Sequence, residues 1–303
     1  MDALARAYYE VVFERDFLKK GGNAFQDFFS EIMEKCHPGD FVRVRPWGNL
    51  GDRKNDGYLR SERTLFQVYA PNDFSLSETL SKIETDFHGA LPYWQQYFDR
   101  WMFTHNSRDG LAPDVLARLL HLESLHAPVK LRSWGFEELK AKVFRLEDED
   151  IASLLGPAPT VPTLLNLGFA DLQVVLESIA KQPPPTTPDL RPVPADKLEE
   201  SHLSPSARKL LGDGRLKSDL VRRFFQHWPD PRYGDRIAAA FRLHYQSLKQ
   251  AIGVPDLIFQ ALQVFAGGLA RGSPEHEAAV VTVLAYLFEE CDIFERTSEG
   301  TSP

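Results

Sequence analysis

Apolar residues recur along this chain at two spacings. Leu4, Tyr8, Val11, Val12 and Phe17 fall broadly at helical spacing over residues 2–18. GGN ends that helix, and Asn23 is placed to cap a second one, AFQDFFSEIMEKC, with Phe25, Phe28, Phe29, Ile32 and Met33 as its apolar stripe. The period then drops to two. FVRVR (Phe41–Arg45) alternates apolar and basic residues as a half-buried strand does, PWGNLGDRKNDG is too rich in turn formers for regular structure, and Thr64–Ala70 resumes as a buried strand. In that strand Leu65, Gln67 and Tyr69 share one face, and Phe66, Val68 and Ala70 the other. A helix (SLSETLSKIETDFHGAL), a strand (Trp101–His105), a helix near Pro113–Leu122, a strand (Pro128–Trp134) and a helix (GFEELKAKVFRL) follow. Strands alternating with helices predict an α/β domain whose mixed sheet is covered on its faces.

A further apolar stretch to Ala180, GFADLQVVLESIA, predicts a helix closing this first domain. QPPPTTPDLRPVP then places six prolines in thirteen residues, which forbids a helix or central strand and predicts an extended connector. The expected organisation is an α/β domain at 1–181, a linker at 182–195 and an all-α bundle at 196–303. In the bundle, Ser204 caps a helix with Pro205 at its first position, and Val280, Val283, Leu284, Leu287, Phe288 and Cys291 repeat as a buried helix face. No constellation of His, Cys or paired carboxylates occurs there, so packing or docking is expected of it.

Composition narrows the setting. With 43% hydrophobic and 26% charged residues over 303 positions, the chain reads as ordinary globular protein. The charged N-terminus is no signal peptide, no apolar run reaches membrane-spanning length, and Cys36 and Cys291 lack metal-ligand spacing. Buried thiols in a reducing cytoplasm are the expectation. A net charge of −8 opposes broad attraction to nucleic acid. Locally the balance differs: Arg43, Arg45, Arg53, Lys54, Arg60 and Arg63 surround Asp52, Asp56 and Glu62. Such a basic rim suits a nuclease or an ordinary solvated strand pair alike.

Gln67 is the informative residue of the buried strand, because a buried amide needs a partner, and Asp56 is a candidate. GDRKNDGY followed by FQVY resembles the PD-(D/E)XK superfamily, the restriction-endonuclease-like nucleases, in its Mrr-like branch. The resemblance implies a restriction-endonuclease-like mixed sheet flanked by helices. It puts Asp56 on the metal-binding acid and Gln67 on the second position, while Tyr69 stands where the pattern has Lys. Lys82, on the following helix, and Lys54, in the turn, are the candidates for a relocated catalytic lysine. Glu31 or Glu34 on the second helix could supply another carboxylate to the metal. The bland readings are surface ion pairing for Lys82 with Glu78 and Asp86, a surface carboxylate for Glu31, and a structural role for His105.

The last third, in PADKLEESHLSPSARKLL, SDLVRRFFQHWPDPRYGDRIAAAFRLHY and VVTVLAYLFEECDIFERT, is similar to a C-terminal helical domain of bacterial ABC-three-component systems. Those conflict systems couple an effector to an ABC-type ATPase, which implies partner docking by the tail and effector chemistry by the first domain. Three functions follow: a cytoplasmic Mg²⁺- or Mn²⁺-dependent DNA endonuclease, a degenerate domain that binds nucleic acid or protein without cutting, and a structural adaptor. A co-encoded ATPase is an expected partner, no membrane is, and a homo-oligomer is compatible.

Overall fold

The computed structural model describes residues 1–45, 53–181, 202–268 and 272–290. Most of the glycine-rich turn, the proline-rich connector and Cys291 therefore lie outside the described residues. Two compact units form, Asp16–Leu154 and Met1–Arg15 together with Leu155–Pro303.

In the first unit, α1 (Ala3–Lys19, entering from Asp16) and α2 (Gly22–Cys36) precede β1 (Phe41–Arg43), β2 (Gly57–Leu59) and β3 (Thr64–Tyr69). Then come α3 (Leu76–Trp94), β4 (Arg100–His105), α4 (Pro113–Leu125), β5 (Lys130–Trp134), α5 (Phe136–Val143) and α6 (Asp148–Leu155). The five strands lie in chain order in one mixed sheet, β1–β2–β3 antiparallel and β3–β4–β5 parallel. The predicted faces of β3 are the observed ones. Leu65 joins Ile83, Phe87, Trp101, Phe103 and Val115 under α3 and α4. On the other face Phe66 meets Phe29, Phe41 and Trp134, with ring centroids 5.3, 6.0 and 5.2 Å away.

Two local expectations are corrected. The strand of FVRVR runs only from Phe41 to Arg43, after which the Val44 N–H still donates to the Asp56 carbonyl at 3.3 Å. Asn23 is no N-cap: α2 starts at Gly22, with Gly21 in the cap position. The Gly22 N–H donates to the Ala70 carbonyl at 2.7 Å, which fixes the entry of the helix two residues earlier. Gly22 has φ +51°, a left-handed conformation that costs glycine least. Cys36 is half-buried, and burial raises its pKa.

The second unit is helical, with α7 (Val161–Leu165), α8 (Phe169–Ala180), α9 (Pro205–Gly214), α10 (Ser218–His227), α11 (Tyr233–Ala251), α12 (Pro255–Phe265) and α13 (Pro274–Glu290). Ser204 caps α9 as expected, accepting from the Ala207 N–H at 3.3 Å. Helix α13 is buried on nearly every side, from Ala278 through Val281, Val283 and Leu284 to Phe288, as a central helix must be. Gly214 lets α9 approach it closely, since a Cβ there would stand 2.6 Å from the Val281 carbonyl oxygen. Tyr8 of α1 is buried and hydrogen-bonded to Glu277, and burial first, then that carboxylate, raises its pKa.

The division between the units differs from the boundary drawn at the prolines, and α8 shows why. Leu172, Val175, Leu176 and Ile179 are fully buried, and α10, α11 and α13 pack on this helix. A chain ending at residue 181 should therefore expose four apolar side chains, each worth about 1.5–3 kcal/mol when buried. It is expected to bind a hydrophobic dye and aggregate, whereas a chain of residues 16–154 should melt cooperatively. Dye fluorescence and thermal unfolding of the two fragments check this.

Candidate functional site

Asp56 stands where β2 begins, and its backbone continues the sheet. Its N–H donates to the Phe66 carbonyl at 2.9 Å, and its carbonyl accepts from Val44 N–H at 3.3 Å. The side chain is 4% exposed. Oδ2 accepts from the Val68 N–H at 2.7 Å, and Oδ1 accepts from the Gln26 amide of α2. Asn55, fully buried, accepts from the Gly57 N–H at 3.0 Å in an Asx turn. Just before it, Arg53 and Lys54 have φ of +53° and +61°, a conformation that non-glycine residues hold only when the surroundings enforce it. Helix α3 does so: Trp94 Nε1 donates to the Arg53 carbonyl at 3.1 Å, and the Arg53 guanidinium lies 4.7 Å from the Tyr93 ring centroid.

Around Asp56 is a cavity of about 190 Å³, with Gln26 and Ser30 of α2 on one wall and Arg43 and Arg45 at its rim. Arg43 is gripped by Glu34 at 2.8 and 3.0 Å and by Asp27 at 3.2 Å, and Arg45 reaches Asp27 at 3.0 Å. Pairs this exposed add little stability, but they hold two guanidinium groups in place.

The other candidate residues are distributed differently. Gln67 is 4% exposed, lies between Leu65 and Tyr69 on the face under α3 and α4, and leaves Oε1 without a hydrogen-bond partner. The peptide that follows it supplies the Val68 N–H to Asp56. Lys54 and Lys82 converge on one carboxylate, Asp86, at 2.9 and 2.8 Å. These are ion pairs by distance, without hydrogen-bond alignment, and Asp86 is completely buried. Room for the Lys54 stem comes from Gly89, where a Cβ would stand 2.9 Å from Lys54 Cγ. Glu31 is exposed on α2 and does not line the cavity, and Glu34 is committed to Arg43. Helix α2 does reach Asp56, through Gln26. A search of the sequence for carboxylates alone passes over it, although Gln26 and Ser30 are four apart beside the apolar stripe, where one edge of the helix meets the sheet.

Among the described residues no three His, Cys, Asp or Glu gather as a metal cluster. Mg²⁺ needs less than that: it keeps several waters and takes one or two carboxylates plus phosphate oxygens. The donors at hand, the Asp56 carboxylate and the Gln26 amide oxygen, are all oxygen, the class that Mg²⁺ or Mn²⁺ takes in preference to zinc, whereas Gln67 does not line the Asp56 cavity.

His105 ends β4 with 6% exposure, and burial lowers its pKa to about 4, against a weaker opposing pull from Glu138. A histidine depressed in the fold favours folding above its unfolded pKa of about 6.5 and disfavours it as pH falls toward the folded value. Between those limits up to about 3 kcal/mol is lost. Urea unfolding at pH 7 and pH 4.5 should show this loss, and His105→Gln should reduce it.

Residues 170–295 match the model of C-terminal domain 10 of the ABC-three component (ABC-3C) systems. The match starts in α8 and covers the described helices α9–α13, all in the helical unit. No curated protein and no solved structure matches the chain. Among the described residues no helix is long and apolar enough to cross a membrane.

Proposed function

We propose that this protein is the effector of a bacterial ABC-three component defence system and that its Asp16–Leu154 unit is a restriction-endonuclease-like, metal-dependent DNA endonuclease. The observation that carries this reading is the buried Asp56 carboxylate in a cavity rimmed by Arg43 and Arg45. Fixed guanidinium forks suit phosphate oxygens, and a carboxylate held by a backbone N–H and an amide is preset in one orientation. Asp56 would hold the metal, with the Gln26 amide oxygen as a neutral second donor. The bound ion would activate a water and offset charge on the scissile phosphate. Val68 N–H and Gln26 would keep Asp56 from turning away, and Arg43 and Arg45 would orient the strand. The helical unit would dock the co-encoded ATPase, a role that rests on the domain match.

The lysines favour a second reading, a domain that holds nucleic acid without cutting it. Tyr69 replaces the pattern's lysine, and Lys54 and Lys82 are both occupied by Asp86. Plasmid incubated with Mg²⁺ or Mn²⁺ separates the two, comparing wild type with Asp56→Asn, alone and with the co-encoded ATPase. Metal-dependent cutting that the variant lacks supports the nuclease. DNA retention without cutting, weakened by Arg43→Ala and Arg45→Ala, supports the binder.

A further inference from the structure

Away from Asp56, two cavities of about 230 and 570 Å³ open at the carboxyl ends of the parallel strands and share His105, Gly110 and Leu111. Their combined size lies within the range of small-molecule pockets, about 300–1,000 Å³. The carboxyl ends of parallel strands are also where open α/β sheets receive ligands.

Aromatic rings lead to this point. Trp101, Phe103 and His105 follow one another on one face of β4, with successive centroids 6.1 and 6.1 Å apart and planes within 19° and 29°. His105 is the last ring of that column and lines both cavities. Its Nδ1 accepts from the Ser107 N–H at 3.3 Å, which assigns the ring proton to Nε2. Nε2 meets no hydrogen-bond partner among the described residues. Beside it the wall is Gly135, where a Cβ would stand 2.7 Å from His105 Cε1 and 3.1 Å from Nε2, so any side chain at this position would crowd that edge of the ring. Glu138 lines the larger cavity too, its Oε2 accepting from the Gly135 N–H at 2.9 Å and Oε1 remaining as an acceptor.

We propose that these adjoining cavities bind the base of an uncharged nucleoside, its edge meeting His105 Nε2–H and Glu138. An adjacent donor and acceptor on the protein call for an adjacent acceptor and donor on the ligand, which a nucleobase edge supplies on a flat ring. Charge selects against added phosphates: Asp109, Glu137 and Glu138 outnumber Arg108, which lies 3.9 Å from the Phe136 ring centroid and 3.8 Å from Glu137. This site is independent of the nuclease reading, since it uses neither Asp56 nor the basic rim.

The test is calorimetric titration of the full chain with adenosine, guanosine, cytidine and ATP. One-dimensional NMR follows the His105 Cε1–H resonance, identified by its loss in His105→Gln. Expected are saturable binding of at least one nucleoside, a moving His105 resonance in the wild type, weaker binding of ATP than of adenosine, and affinity reduced about tenfold or more in Gly135→Ala. The proposal is overturned if no nucleoside gives saturable heat, if binding leaves the His105 resonance unmoved, or if ATP binds more tightly than adenosine. The wild-type resonance decides even where Gly135→Ala fails to fold, and plasmid cleavage is scored separately.

Discussion

Replacing Asp56 by asparagine should lower metal-dependent plasmid cleavage by at least about a hundredfold while leaving the fold nearly intact. Removing groups that merely support a metal ligand already costs 10- to 100-fold, so loss of the charged ligand itself should cost no less. Asparagine still presents an oxygen to the Val68 N–H, and Gln26 can turn its amide to answer the new NH₂. Asp56→Ala makes a different perturbation. It leaves the Val68 N–H and the Gln26 amide without their acceptor, a buried loss of about 1–3 kcal/mol. Urea unfolding beside the cleavage assay separates the two effects. Asparagine should keep the unfolding midpoint and lose cutting; alanine should lose both. Full cutting by a stable Asp56→Asn protein would refute the metal-site reading.

The sheet was legible because its signals are local. Alternation in Thr64–Ala70 assigned Leu65 and Phe66 to opposite faces, and the packing agrees, with Leu65 under α3 and α4 and Phe66 beside Phe29. The prolines after residue 181 marked a change of chain character, yet the compact units divide elsewhere. Composition reports where a chain cannot form regular structure; it does not report which surface buries Leu172 or Val175. Those contacts are long-range, from α8 to α13 across the connector, and carry no local signature.

At the candidate site the same limit applies. Asp56 was legible through the resemblance of GDRKNDGY and FQVY to the PD-(D/E)XK pattern, and Gln67 because an amide in a buried strand is costly. Gln26 was not visible. An amide on a helix edge looks like any surface residue until the helix is laid across the sheet. Asp86 was equally hidden, since an i, i+4 pairing with Lys82 describes a solvated helix face as well as a buried one. Lys54, from a loop, is the partner that changes its meaning.

Substituting methionine for both Lys54 and Lys82 should destabilise the Asp16–Leu154 unit far more than either change alone. Asp86 is completely buried, and its two ammonium partners are about a third exposed, at 37% and 36%. With one lysine left the carboxylate keeps a counter-ion at 2.8 or 2.9 Å, and the exposure of each lysine limits a single loss to about 1 kcal/mol. With neither, a buried charge stands uncompensated, a defect that costs about 3–5 kcal/mol. Asp86→Leu in the double-methionine background should recover most of that loss, since the charge goes with its partners. Urea unfolding of wild type, the two single methionine variants and the double variant gives the coupling directly. The same variants decide whether either lysine serves catalysis. A catalytic lysine would lower cleavage in its single methionine variant by far more than its small loss of stability explains, whereas lysines that only neutralise Asp86 would leave cutting per folded molecule unchanged.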